Sequence, residues 1–190
     1  MDFTPEYAFI SETLIRECHE HSPSAKVIYI LRDPLSRAVS ALRMHAKRST
    51  NDADPADHTI KFSDDTLKSI KKERIIEHSS YAANWTRWSK FYNDILVLNY
   101  EDILATPREV VQRVYTYLEL DREKLSDKQK VQFETRFERK VWKSIEYSLD
   151  PDLLYFLHGI TWQQRKAADN KFGFKFQEYH KTLAGVTDEE

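Results

Sequence analysis

The sequence is poor in the residues that punctuate and cross-link a chain: it has three glycines, six prolines and one cysteine among 190 residues. Gly159, Gly173 and Gly185 stand singly. That excludes the glycine-rich phosphate loops, which place several glycines just before a helix so that backbone N–H groups can approach the phosphate. The lone Cys18 excludes an internal disulfide, and it reads as a semi-buried small residue rather than a nucleophile. No apolar run approaches the roughly 20 residues that cross a bilayer, and no signal peptide is visible at the amino terminus. Excess charge is missing too: 29 basic and 31 acidic residues leave -2, so nothing draws the whole molecule to nucleic acid or anionic lipid. Any anion site must therefore be built locally. The histidines, His19, His21, His45, His58, His78, His158 and His180, show no ligand-like spacing, so no metal site is expected. A soluble, cytoplasmic protein of a reducing compartment is the expectation.

What is present is a folded composition. Apolar residues make up 41% and aromatics 13%, well away from chains that stay disordered. The length fits one domain over residues 1–190, with an α/β core at 26–120, a helical region at 121–170 and a tail at 171–190. No internal repeat or low-complexity tract divides it.

"TPEY" opens extended, and a helix is predicted from Ser11, which caps it while Leu14, Ile15 and Cys18 supply an apolar face. "KVIYILRDP" is a run of β-branched and aromatic residues without alternation, the pattern of a strand buried on both faces of a helix-covered parallel sheet. Asp33 and Pro34 then start a helix, Asp33 as cap and Pro34 in the first turn. Leu35, Val39, Leu42 and Ala46 fall on one stripe of that helix, and Ser36, Ser40, Arg43 and Lys47 on another. Residues 49–66 read as a long polar loop, and "LKSIKKERIIEH" as a short helix. Tyr81, Trp85, Trp88 and Tyr92 recur at helical spacing behind a cap at Ser79 or Ser80, a stripe that is ordinarily core. "DILVLNYEDI" is a second buried-looking strand, and "TPREVVQRVYTYLEL" a helix capped by Thr106 with Pro107 first. A helix capped by Ser126 spans residues 126–148, a second one ends at Gly159, and the remainder is less regular. Strand, helix, strand, helix is the α/β pattern, here a parallel sheet flanked by helices with a helical carboxyl-terminal part.

The carboxyl edge of a parallel strand that feeds a helix is where open α/β sheets bind ligands. Arg32 stands at that edge, and Ser40 lies two turns into the helix on its polar stripe. A planar guanidinium and a hydroxyl at this spacing suit one terminal phosphate. The alternative is that Arg32 pairs with Asp33 or another carboxylate and that Ser40 is merely a small helix residue.

"KVIYILRDPLSRAVSALRM" resembles the 3′-phosphate-binding motif of the sulfotransferases that use 3′-phosphoadenosine 5′-phosphosulfate (PAPS). "SSYAANWTRWSKFYNDILVLNYEDILATPREVVQRVYTYLEL" is similar to the order that follows it in that family. "TPEY" and "LLYFLHGITW" resemble segments of its carbohydrate and bacterial branches, so the likeness runs over about residues 2–165. It implies a P-loop-like sulfotransferase fold, PAPS as co-substrate and adenosine 3′,5′-bisphosphate (PAP) as product, no metal, and a hydroxyl or amine of a carbohydrate or small molecule as acceptor. It implies that Arg32 and Ser40 hold the 3′-phosphate, that Tyr81 contacts adenine, and that Arg37 anchors the corner. Glu101 and Asp102 match a structural Tyr-Glu-Asp of the family, and "NKFGFK", residues 170–175, stands nearest to its later basic loop.

The family's first strand, its Lys-x-Gly-Thr loop and its general base would precede "TPEY" and are not in this sequence, so no catalytic residue is named. The fold is expected to be incomplete at its amino terminus, with a homo-oligomer or a partner chain completing the sheet. The competing reading is a catalytically silent relative that binds the adenosine bisphosphate or a protein partner.

Overall fold

The structure is a computed structural model and describes residues 4–49, 59–121, 124–136 and 147–176. A 3-10 turn at Pro5–Phe9 leads through α1 (Glu12–His21) to β1 (Val27–Leu31) and α2 (Pro34–Ser49). Then come β2 (Thr59–Ile60), α3 (Asp64–Lys72), α4 (Ile75–Ser79), α5 (Tyr81–Trp88) and β3 (Ile95–Asn99). The chain continues as α6 (Tyr100–Ala105), α7 (Pro107–Tyr117), α8 (Asp127–Arg136), β4 (Ser148–Leu149) and α9 (Pro151–Phe172).

The two apolar runs pair in parallel as expected, Val27 opposite Ile95 through Leu31 opposite Asn99. Parallel pairing needs a long crossover, and everything from α2 to α5 supplies it. Tyr117 at the end of α7 ties both strand starts: its hydroxyl accepts the Val27 N–H at 3.0 Å and donates to the Asp94 carbonyl at 2.8 Å. Arg113, one turn earlier, donates to the Val97 carbonyl. The second parallel pair, β2 with β4, is only two residues long, which no sequence period can announce.

Among the described residues two apolar clusters hold the elements together. Leu35, Ala38 and Leu42 of α2 meet Ile70, Ile75, Leu153 and Leu157 in one. Leu31, Tyr81, Ala168 and Phe176 form the other, flanked by Tyr29, Val97, Phe172 and Phe174. Helix α9 contributes to both.

Several expectations change. Ile30 is half exposed, so β1 is not covered on both faces. The helix expected over 67–78 breaks at Arg74, whose φ of 49° is left-handed, leaving α3 and α4 separate. Helix α9 runs straight through Gly159 and stops at Gly173, whose φ of 70° supplies the left-handed cap. Cys18 is exposed, and Ile15 alone of α1 is buried. Ser80 and Thr106 flank their helices without capping them; their hydroxyls donate back to the Ile76 and Asp102 carbonyls. Ser11 does cap, accepting the Leu14 N–H. The helix from Ser126 begins as read, and its stretch over 137–146 lies outside the described residues, as does the tail beyond 176. Among the described residues no helix is long and apolar enough to cross a membrane.

Candidate functional site

Because β1 and β3 are in register to their last residues, the residues that follow them are brought face to face. Arg32 after β1 meets Tyr100 after β3, its guanidinium 4.7 Å from the ring centroid. One residue further, the Asp33 N–H donates to Glu101 Oε1 at 3.4 Å. This corner is the carboxyl edge of the sheet, the place where such folds take up ligands.

Asp33 is buried completely and does three jobs there. Its Oδ1 accepts the Ser36 N–H at 2.7 Å, the cap expected from the sequence. Its backbone carbonyl accepts the Arg37 N–H. Its Oδ2 lies 3.3 Å from Nε of Arg165, a fully buried residue of α9. The carboxylate is thus occupied by a helix terminus and a distant arginine, not by its neighbour Arg32. Arg32 is half-buried, its Nε is shielded and makes no hydrogen bond among the described residues, and a guanidinium lying on an aromatic face keeps its in-plane N–H groups for an acceptor at its rim.

Tyr81, at the start of α5, sits behind this edge with 3% exposure. Its hydroxyl accepts the Arg32 N–H at 3.4 Å, and its ring meets Tyr29 edge-on at 6.1 Å. Burial pushes the hydroxyl up to about 12, against the opposing pull of Arg37, so it stays protonated at neutral pH. The Arg37 guanidinium is lowered by burial and by Arg32, with Tyr81 working the other way. Burial also raises the Glu101 carboxyl above its ordinary value, offset by its own N–H and that of Asp33. Ser40 is half-buried on α2, two turns into the helix that Asp33 caps.

Tyr81 and Arg32 are therefore directly joined, while Ser40 lies on α2, two turns beyond the residue that caps it. Trp85 and Trp88 pack as expected of a core stripe, half-buried, with Trp88 Nε1 donating to the Tyr7 carbonyl. "NKFGFK" is the end of α9 and its cap: Phe172 and Phe174 pack beside Leu31 and Tyr81, and Lys171 lies 4.1 Å over the Trp85 ring. Tyr100 and Arg165 were not singled out from the sequence. The strand register signals the first in hindsight, and nothing local signals the second. Among the described residues no group of three His, Cys, Asp or Glu side chains gathers as a metal site.

The family model described as "Sulfotransferase family" matches residues 4–124. No curated protein matches the chain. Among solved structures, the crystal structure of a sulfotransferase from Alicyclobacillus acidocaldarius is similar, with a TM-score of 0.61 at 18% identity. The likeness covers 91% of this chain and 64% of that one, so the chain spans less than two thirds of that structure's length. At this identity it speaks for the fold, an α/β arrangement of short parallel sheets flanked by helices. The family match takes in more than half of the sequence, the Arg32 corner included, and the chain belongs to the sulfotransferase family.

Proposed function

We propose that the chain is a PAPS-dependent sulfotransferase whose Arg32 and Ser40 hold the donor's 3′-phosphate. One observation carries the reading: Asp33 is engaged by Arg165 and by α2, so Arg32 lies on the Tyr100 face and, although its charge is felt by the Glu101 carboxylate, makes no direct ion pair among the described residues. A planar anion at the rim of Arg32 would receive a two-pronged, charge-assisted bond, and the Ser40 hydroxyl would add a neutral donor. Tyr81 holds the Arg32 backbone in place, and, buried as it is, it would meet adenine only through the small part of its ring that is exposed.

The donor supplies the sulfuryl group, which passes in line to a hydroxyl or amine of a carbohydrate or small molecule. The residues of this corner bind and orient. Fixing the nucleotide at its 3′-phosphate holds the rest of the donor in one place, which is where such reactions gain most from the protein. No residue of the chain is assigned to proton transfer.

Calorimetric titration with PAP tests the reading. Arg32→Ala is expected to abolish measurable binding and Ser40→Ala to weaken it by about tenfold, the worth of one hydrogen bond to a charged group. Tyr81→Phe, which removes the support of the Arg32 amide, should weaken it by less than Arg32→Ala. A folded parent chain that binds no PAP overturns the proposal.

A further inference from the structure

Arg165 is the largest fully buried side chain among the described residues, and phosphate binding as described above makes no direct use of it. Its Nε lies 3.3 Å from Asp33 Oδ2, an ion pair without hydrogen-bond geometry, and Nε, Nη1, Nη2 and Asp33 Oδ2 are all shielded and make no hydrogen bond among the described residues. The Trp162 ring lies 5.3 Å from the guanidinium and is itself stacked on His158 at 5.9 Å. An arginine buried this deeply is costly unless carboxylates compensate it, and the main one is the carboxylate that caps α2, with Asp169 of α9 adding a smaller share.

Asp33 is paired with Arg165 across from it, and Arg32 is its neighbour in sequence. A buried carboxylate denied one counter-charge takes the other. Were it to take Arg32, the fork needed for the phosphate would be consumed and drawn off the Tyr100 face. We propose that Arg165 is a positioning residue: it keeps Asp33 occupied, and so keeps Arg32 available to an anion. This rests on the donor-binding reading above and adds to it a dependence of the site on α9. Trp162 serves by covering the pair from water, which strengthens it.

The test compares PAP titrations of the full chain in four forms: the parent, Arg165→Met, Asp33→Asn with Arg165→Met, and Leu157→Ala. Hydrogen exchange of the Ser36 and Arg37 amides is followed in parallel. Arg165→Met should weaken binding about tenfold or more, since small misplacements of a binding group are costly. The double variant should recover most of the loss, because asparagine still caps a helix yet holds no charge with which to capture Arg32. Leu157→Ala, a packing change on the same helix, should lower the thermal midpoint but leave the dissociation constant within about threefold. A folded Arg165→Met that binds like the parent overturns the proposal, and so does a double variant as weak as the single one. If Arg165→Met does not fold, the charge-balanced double variant carries the test, with near-parental binding expected. If the parent itself binds no PAP, the donor reading fails separately. The clamp is then read from exchange: faster at Ser36 and Arg37 in Arg165→Met and restored in the double variant supports it, and unchanged exchange overturns it.

Discussion

His78 shows how the interior of this molecule treats a charge it does not need. Its ring meets Phe9 edge-on at 4.5 Å, and burial, Arg37 and Arg74 together depress its proton affinity to about 4 against an ordinary 6.5, with Glu6 and Glu77 opposing. Between those values the unfolded chain binds the proton and the folded chain does not. Stability contributed by neutral His78 is therefore full above pH 6.5 and is lost as the pH falls through about 4. His78→Phe keeps the ring contact and removes the titration. Thermal midpoints of parent and variant should diverge in the variant's favour as the pH drops from 6.5 to 4, and parallel curves would count against the depressed value. Residues of this kind were only partly legible. Arg32, Ser40 and the cap at Asp33 stood out because they lie within one stretch and obey local rules of strand exit and helix start. Arg165 did not, because its partner is remote in the chain and it fell beyond Gly159, in the stretch read as less regular. Tyr100 was hidden for another reason: only the pairing of β1 with β3 puts it under Arg32.

At the scale of elements, the two glycines of the last helix carry opposite meanings. Glycine is the commonest stop signal of a helix, and so the reading from sequence ended this one at Gly159. The structure shows Gly159 inside α9 with open space around the position a Cβ would take. Gly173 has the left-handed φ of 70° and ends the helix. Gly159→Ala should then raise stability by about 1 kcal/mol, since alanine loses less freedom in a helix interior and meets no obstacle. Gly173→Ala should lower it by about 1 kcal/mol, because a Cβ is disfavoured in that conformation. Chemical denaturation of the two variants measures both signs, and a destabilised Gly159→Ala would place the helix end back where the sequence suggested. The strands and the helices α1, α2 and α7 were legible because each carries its period and its start signal within itself. The break at Arg74 and the β2–β4 pair were not, since a left-handed arginine and a two-residue bridge are decided by tertiary contacts.

For the whole molecule, the question left by the sequence is whether residues 1–190 behave as one unit, as their length led us to expect. The apolar side chains divide into two clusters, one between α2, α4 and the first half of α9, the other between β1, α5 and its second half. Two clusters would melt separately if only flexible chain joined them. Here the connection is a continuous 22-residue helix, and the Asp33–Arg165 pair adds a polar link between the start of α2 and the same helix. A perturbation in one cluster should therefore be felt in full by the other. Leu157→Ala empties part of the first cluster and should cost about 2–5 kcal/mol, a large share of the ~5–15 kcal/mol that holds an ordinary domain. If folding is cooperative, amides of β1, which line the second cluster, must lose protection by the same factor as amides of α2. Exchange that quickens in α2 and α4 while β1 and β3 keep parental rates would show two independently folding parts. In that case the proposed phosphate site, with Arg32 from one part and Ser40 from the other, would assemble only when both are folded.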